Sequence, residues 1–182
     1  MRGAVAGVFV GGAGRRMGGR AKGMLPAPGG GTLVQRWLRV LREAGVARVV
    51  LVGRRDEYRA VGLETLDDEP AGVGPIGGLA ALLRHAGDAP ALGVACDMPF
   101  VTTDAIVRLL SAPDAAVVAA RRDGRWEPLC ARYDGARVLP AARRRIAEGR
   151  LSLQPLLTEC GAVDVALAKE ELHDWDTPED VR

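Results

Sequence analysis

Short, wholly apolar runs alternate with amphipathic stretches over roughly the first 120 residues, and few architectures accept that pattern. Ala4–Val10, Val49–Val52, Leu92–Ala95 and Ala115–Ala120 are four to seven residues long, with turn residues nearby. Without polar alternation they read as strands buried on both faces, the mark of a parallel sheet. Between them lie helical patterns. Thr32 is placed to cap a helix whose apolar positions Val34, Trp37, Leu38 and Leu41 follow the 3–4 spacing, with Gly45 as its stop. Ile76–Arg84 predicts a second helix, opened by Gly-Pro and Gly-Gly. Asp104–Leu110 predicts a third, capped by Thr102 or Thr103. The alternation implies right-handed crossovers and a three-layer α/β/α arrangement around a mainly parallel sheet. After about residue 121 the pattern changes. Trp126–Tyr133 reads as a hairpin or edge strand, followed by an Arg-rich helix near 137–148 and a short helix near 152–158. A last strand, Val163–Leu167, precedes a polar tail. No repeat or linker interrupts the 182 residues, so a single domain over 1–182 is expected.

Composition removes several function classes. Lys+Arg 25 against Asp+Glu 23 leaves a formal charge of +2, with no basic field for a nucleic acid. Cys96, Cys130 and Cys160 form no C-x-x-C pair, which excludes a disulfide framework or a thiolate zinc site and suits a cytoplasmic protein. The run Ala4–Val10 is at the short limit for a signal-peptide core and lacks a small-residue cleavage site, so it reads as a first strand. No apolar stretch approaches the ~20 residues of a membrane span. Only Lys22 and Lys169 are lysines. Arginine supplies the rest of the positive charge, which makes Lys22 stand out.

Residues 11–23, Gly-Gly-Ala-Gly-Arg-Arg-Met-Gly-Gly-Arg-Ala-Lys-Gly, follow the carboxyl end of the first strand, where open α/β sheets bind ligands. Six glycines let the backbone approach a phosphate or base, and Arg15, Arg16, Arg20 and Lys22 suit a polyphosphate. The loop is not a Walker A motif, because Lys22 lies between Ala21 and Gly23. The dinucleotide fingerprint G-x-G-x-x-G finds Gly12 and Gly14, then Met17 where the third glycine belongs.

Val10–Gly23 resembles the signature loop of the nucleotidyltransferases that act on molybdopterin, and is most similar to the L-A-G-G-x-x-x-R-M-G-G-x-D-K-G of the guanylyltransferases among them. The resemblance implies a Rossmann-like nucleotidyltransferase fold whose loop wraps a nucleoside triphosphate. Backbone from Phe9, Val10, Gly11 and Gly12, with Gly14 beyond, would read the base; Arg16 and Lys22 would hold phosphates. Phe9-Val10 replaces Leu-Ala, and Ala21 replaces the aspartate before the lysine.

Three further motifs follow in family order. Asp68, six residues before Gly74-Pro75-Ile76-Gly77-Gly78, resembles the aspartate of D-x(6)-G-P-L-x-G with one residue fewer in between. A carboxylate there suits guanine N–H donors or ribose hydroxyls, and Gly78 would let a helix N-terminus lie against the nucleotide. Cys96-Asp97-Met98-Pro99 resembles C-D-x-P, where the aspartate at a strand's carboxyl end holds Mg²⁺. Glu127-Pro128-Leu129 resembles E-P-L. Asp174-Trp175-Asp176-Thr177-Pro178-Glu179-Asp180 resembles N-x-N-T-P-E-D with both asparagines replaced, as cytidylyl-transferring relatives often show. The resemblance puts Glu127, Asp174 and Asp176 on the acceptor side, with Asp176 near the metal. Arg54 stands where the family often has an asparagine that contacts the nucleotide.

The chemistry so implied is Mg²⁺-dependent transfer of GMP from GTP to the terminal phosphate of molybdopterin, with Arg16, Lys22 and Asp97 as the catalytic groups. CTP as donor, or another phosphorylated acceptor, stays open at this point. Small molecules are the expected substrates, cofactor-delivery proteins the expected macromolecular partners, and a monomer the expected state. Arg143-Arg144-Arg145 reads as an exposed helix face, His85 as a helix C-terminal group, His173 as solvated, and Cys96 and Cys130 as core residues.

Overall fold

Thr32 opens the first helix by a capping box: its hydroxyl accepts from Gln35 N at 3.3 Å and Gln35 Oε1 accepts from Thr32 N at 2.9 Å. This helix, α1 (Leu33–Glu43), follows β1 (Val5–Phe9), and Gly45 ends it in the left-handed region. The computed structural model describes residues 3–11, 21–54, 56–175 and 180. After α1 come β2 (Arg48–Val52), β3 (Thr65–Leu66), α2 (Pro75–Ala86), β4 (Ala91–Ala95) and α3 (Thr103–Ser111). Thr102 caps α3, its hydroxyl accepting from Ala105 N. β5 (Val117–Arg122), β6 (Arg125–Tyr133), α4 (Gly135–Ala147), α5 (Leu153–Glu159) and β7 (Val163–Asp164) complete the order.

The strands form one sheet in the order β3-β2-β1-β4-β6-β5-β7. β3, β2, β1 and β4 run parallel, with Phe9 in register with Val52 on one side and Ala95 on the other. Alternate residues of β1 serve two cores. Val5 and Phe9 pack with α2, α4 and α5, while Ala6 and Val8 pack with α1 and α3. The expected α/β/α layering of a mainly parallel sheet is the one observed.

Three expectations need correction. Trp126–Tyr133 does form a hairpin with β5 through Asp123-Gly124, both at positive φ, but it is no edge: β6 lies inside the sheet, antiparallel to β4 and β5. A proline there argues against an interior strand. Pro128 is tolerated because pairing jumps from Arg121↔Trp126 to Ala119↔Ala131, so the stretch around it bulges from the ladder. Tyr133 Oη donates to the Pro128 carbonyl at 2.5 Å within that bulge. The last strand pairs only over Val163–Asp164. The arginine run is not one exposed face either, since Arg145 is buried and both it and Arg144 bond Glu159, tying α4 to α5.

Candidate active site

Lys22 and Asp97, 75 residues apart, meet at the carboxyl edge of the sheet, with Nζ 2.7 Å from Oδ2. Their side chains are 18% and 20% exposed, so the pair is largely withdrawn from water. Local structure brings each of them there. Lys22 begins a 3₁₀ turn, Lys22–Met24, whose Gly23 N–H donates to Tyr58 Oη at 3.0 Å. A Cβ on Gly23 would stand 2.7 Å from Val34 and 2.9 Å from the Tyr58 ring, so only glycine lets the turn seat so closely. Asp97 is the second residue past the end of β4; the first, Cys96, donates its N–H to the Phe9 carbonyl at 3.1 Å. Trp175 ties the two together. Its backbone N–H donates to the Asp97 carbonyl at 2.8 Å, and its ring packs in a small cluster with Leu25, Ala27 and Leu33. Burial pushes the Cys96 thiol up to about 12, with the Asp97 charge adding to the effect, so Cys96 is a protonated core residue.

On the other flank, Phe9, Val10 and Gly11 run along the end of β2. The N–H groups of Val10 and Gly11 both donate to the Val52 carbonyl, so much of this backbone serves the sheet itself. Gly53 sits at φ +92°, and a Cβ there would come within 2.7 Å of Gly11 Cα; two backbones touch at this point. Arg54 forks onto Asp67 with two contacts of 2.8 Å, both side chains well exposed. Asp68 is half-buried, and its carboxyl is held above the usual range by that burial and by the neighbouring Asp67 charge. Gly78 lies within α2, where a Cβ would be 2.6 Å from Val52, 3.0 Å from Asp68 Oδ1 and 3.0 Å from the Phe9 ring. The close approach here is to these three side chains, whereas the sequence suggests an approach to a nucleotide.

Glu127 and Asp174 come together through Arg122, which the sequence reading left out. Arg122 Nε lies 2.7 Å from Glu127 Oε1, and Nη1 donates to Asp174 Oδ1 at 2.6 Å and to the Leu172 carbonyl at 2.8 Å. Burial raises the Glu127 pKa against the pull of Arg122. For Asp174, burial acts upward but is outweighed by the Arg122 hydrogen bond and charge, which hold it below the usual carboxylate range. Gln154 braces this strand end: its amide accepts from Trp126 N and donates to Trp126 O, standing in for a strand partner. Arg122 also lines a cleft of about 510 Å³ with Phe100, Lys169, Glu170, Glu171 and His173. His173 is exposed, as expected, with its ring centroid 6.1 Å from that of Phe100. The expectations for Gly12, Gly14, Arg16 and Asp176 lie outside the described residues.

A signal for Arg122 was present. The two-residue Asp-Gly turn sets Arg122 opposite Arg125 and Arg121 opposite Trp126, one step from Glu127. Gly53 offers only the weaker hint of a glycine ending an apolar run.

Among the described residues no cluster of three potential metal ligands occurs, and Asp97 is the carboxylate beside Lys22. One carboxylate oxygen at a strand end is the donor set expected where a hard divalent cation is shared between protein and phosphate oxygens, so the site fits such an ion.

A sheet of this order, with a lysine–aspartate pair at its carboxyl edge and glycines flanking it, defines a Rossmann-like nucleotidyltransferase. The sequence model of the MobA-like NTP transferase domain matches residues 6–161. A protein of Opitutus terrae named "Probable molybdenum cofactor guanylyltransferase" is 38% identical over 95% of this chain and 90% of its own length. A Pseudomonas putida molybdenum cofactor guanylyltransferase is 34% identical over 94% and 92%. The crystal structure of molybdopterin-guanine dinucleotide biosynthesis protein A from Archaeoglobus fulgidus superposes with a TM-score of 0.77 at 26% identity, covering 97% of this chain and 94% of that one. The chain belongs to the MobA-like NTP transferase family.

Proposed function

We propose that the chain is a guanylyltransferase that moves GMP from GTP onto the terminal phosphate of molybdopterin and releases pyrophosphate. The 2.7 Å contact between Lys22 and Asp97 carries the phosphate chemistry. The relatives' names, at 34–38% identity over nearly the whole chain, support the guanine donor and the cofactor acceptor. In this reading residues 1–182 act as one cytoplasmic, monomeric domain that passes its product to cofactor-delivery proteins. No helix among the described residues is long and apolar enough to cross a membrane.

An acceptor phosphate oxygen attacks the α-phosphorus of GTP in line, a P–O bond forms, and the α–β bridging bond breaks with its electrons leaving on pyrophosphate. The nucleophile is already ionised at neutral pH, so the protein must position and neutralise more than abstract protons. Lys22, with Arg16, holds triphosphate oxygens. Asp97 would hold a divalent cation, Mg²⁺ in our reading, which when bound would neutralise developing charge on those oxygens. Phe9, Val10, Gly11, Gly12, Gly14, Arg54, Asp68 and Gly78 form the nucleoside side. Glu127, Asp174 and Asp176 form the acceptor side.

The test is pyrophosphate release from purified protein, molybdopterin and each of GTP, CTP, ATP and UTP with Mg²⁺. Release with GTP alone is expected. Release with CTP in preference to GTP would refute the donor assignment, and none with any triphosphate would refute the activity.

A further inference from the structure

Arg122 joins two carboxylates that the motifs name separately. The closing motif that the sequence resembles has asparagines where this chain has Asp174 and Asp176, so the acceptor side carries more negative charge than the pattern predicts. Two carboxylates, Glu127 and Asp174, then face a substrate whose reacting end is itself a phosphate. Left alone they would repel it. One guanidinium bridges both, at 2.7 Å and 2.6 Å, and is fixed from behind by the Leu172 carbonyl. Arg suits this task and Lys does not, because its planar fork reaches two partners in fixed directions.

We propose that Arg122 is a positioning residue that sets acceptor specificity: it holds Glu127 and Asp174 as one oriented hydrogen-bond-accepting face with a single net negative charge. That face fits an acceptor whose heterocycle presents N–H donors near a phosphate. Arg122 itself lines a cleft with Phe100 and His173, so the bridging guanidinium stands between the two carboxylates and an open surface. The proposal rests on the reading that Glu127 and Asp174 meet the acceptor.

The experiment compares wild type, Arg122→Gln, Arg122→Lys and Arg122→Gln/Asp174→Asn in pyrophosphate release, varying molybdopterin and GTP separately, with melting curves alongside. Arg122→Gln should raise the acceptor KM by on the order of tenfold or more while the KM for GTP stays within about twofold. Arg122→Lys, which keeps the charge without the fork, should fall between, and it carries the test if the glutamine variant does not fold. In the double variant the Asp174 charge is gone but so is the orienting fork, so the acceptor KM should recover only in part, to a value between those of wild type and Arg122→Gln. A fall in kcat with no change in acceptor KM, or a double variant no better than Arg122→Gln, would overturn the proposal. An inactive wild type would instead sink the functional reading beneath it.

Discussion

Replacing Lys22 by methionine separates what the lysine–aspartate pair does for folding from what it does for catalysis. At 2.7 Å, two unit charges attract by about 6 kcal/mol in a medium of effective dielectric about 20, before desolvation is counted. Exposed pairs are worth up to ~1 kcal/mol net, whereas breaking a fully buried one costs about 3–5. With side chains 18% and 20% exposed, this pair falls between, at about 2–3 kcal/mol for Lys22→Met. For a chain of this length that is a fall in Tm of roughly 5–10 °C. The turnover loss should be at least ~100-fold, or about 2.7 kcal/mol of barrier, since the cation proposed to face the triphosphate is lost and Asp97 is left uncompensated. The double variant Lys22→Met/Asp97→Asn removes both charges. Its Tm should return most of the way to wild type while turnover stays low. Thermal melts and pyrophosphate release on the three proteins read both quantities. Turnover within about threefold of wild type in Lys22→Met, or regained in the double variant, would refute the catalytic half. An unchanged Tm in Lys22→Met would refute the electrostatic half.

Gly78→Ala places a methyl 2.6 Å from Val52 and 3.0 Å from both Asp68 and Phe9, so overpacking of about 1–3 kcal/mol should outweigh the ~1 kcal/mol gained in helix propensity. Its Tm should fall and the thermal shift on adding GTP should shrink with it. Asp68→Asn tests a raised pKa. A carboxyl held above its ordinary value is harder to ionise in the folded state, so stability falls as pH climbs from the unfolded value through the folded one. At pH 7 the asparagine variant should melt slightly higher than wild type, the gain vanishing below about pH 4, while its affinity for GTP drops. A lower Tm at pH 7 with unchanged GTP binding would contradict both points. Chelation by EDTA should abolish pyrophosphate release, and excess Mg²⁺ should restore it; turnover that persists without divalent metal would remove Asp97's assigned role.

The parts of the fold visible in the sequence are those where one local rule acts alone. Val50–Val52 and Leu92–Val94 are buried, so an apolar run is sufficient to place β2 and β4. Thr32 and Gln35 form a capping box by their spacing alone. β3 has only Thr65 and Leu66, too few for any periodicity to register, and its existence follows from pairing with Leu51 and Val52. β6 failed for a different reason. Its Pro128 signals an edge, and only the long-range pairing with β4 and β5, combined with a bulge that excuses the missing N–H, puts it inside. The site divides along the same line. Lys22 and Asp97 belong to motifs, so each could be singled out separately, but their contact depends on Gly23 fitting under Tyr58 and on Trp175 reaching back to the Asp97 carbonyl.

Arg122 shows the limit most plainly. It is one of many arginines, and nothing in its own neighbourhood marks it beyond the Asp-Gly turn. Its meaning comes from Asp174, 52 residues away, which reaches it only because the segment after β7 crosses the carboxyl edge and Arg122 bonds the Leu172 carbonyl on the way. An asparagine-to-aspartate change in the closing motif, read alone, points to a different nucleotide. Read beside an arginine 2.6 Å away, it is one half of an ion pair, which the motif by itself does not reveal.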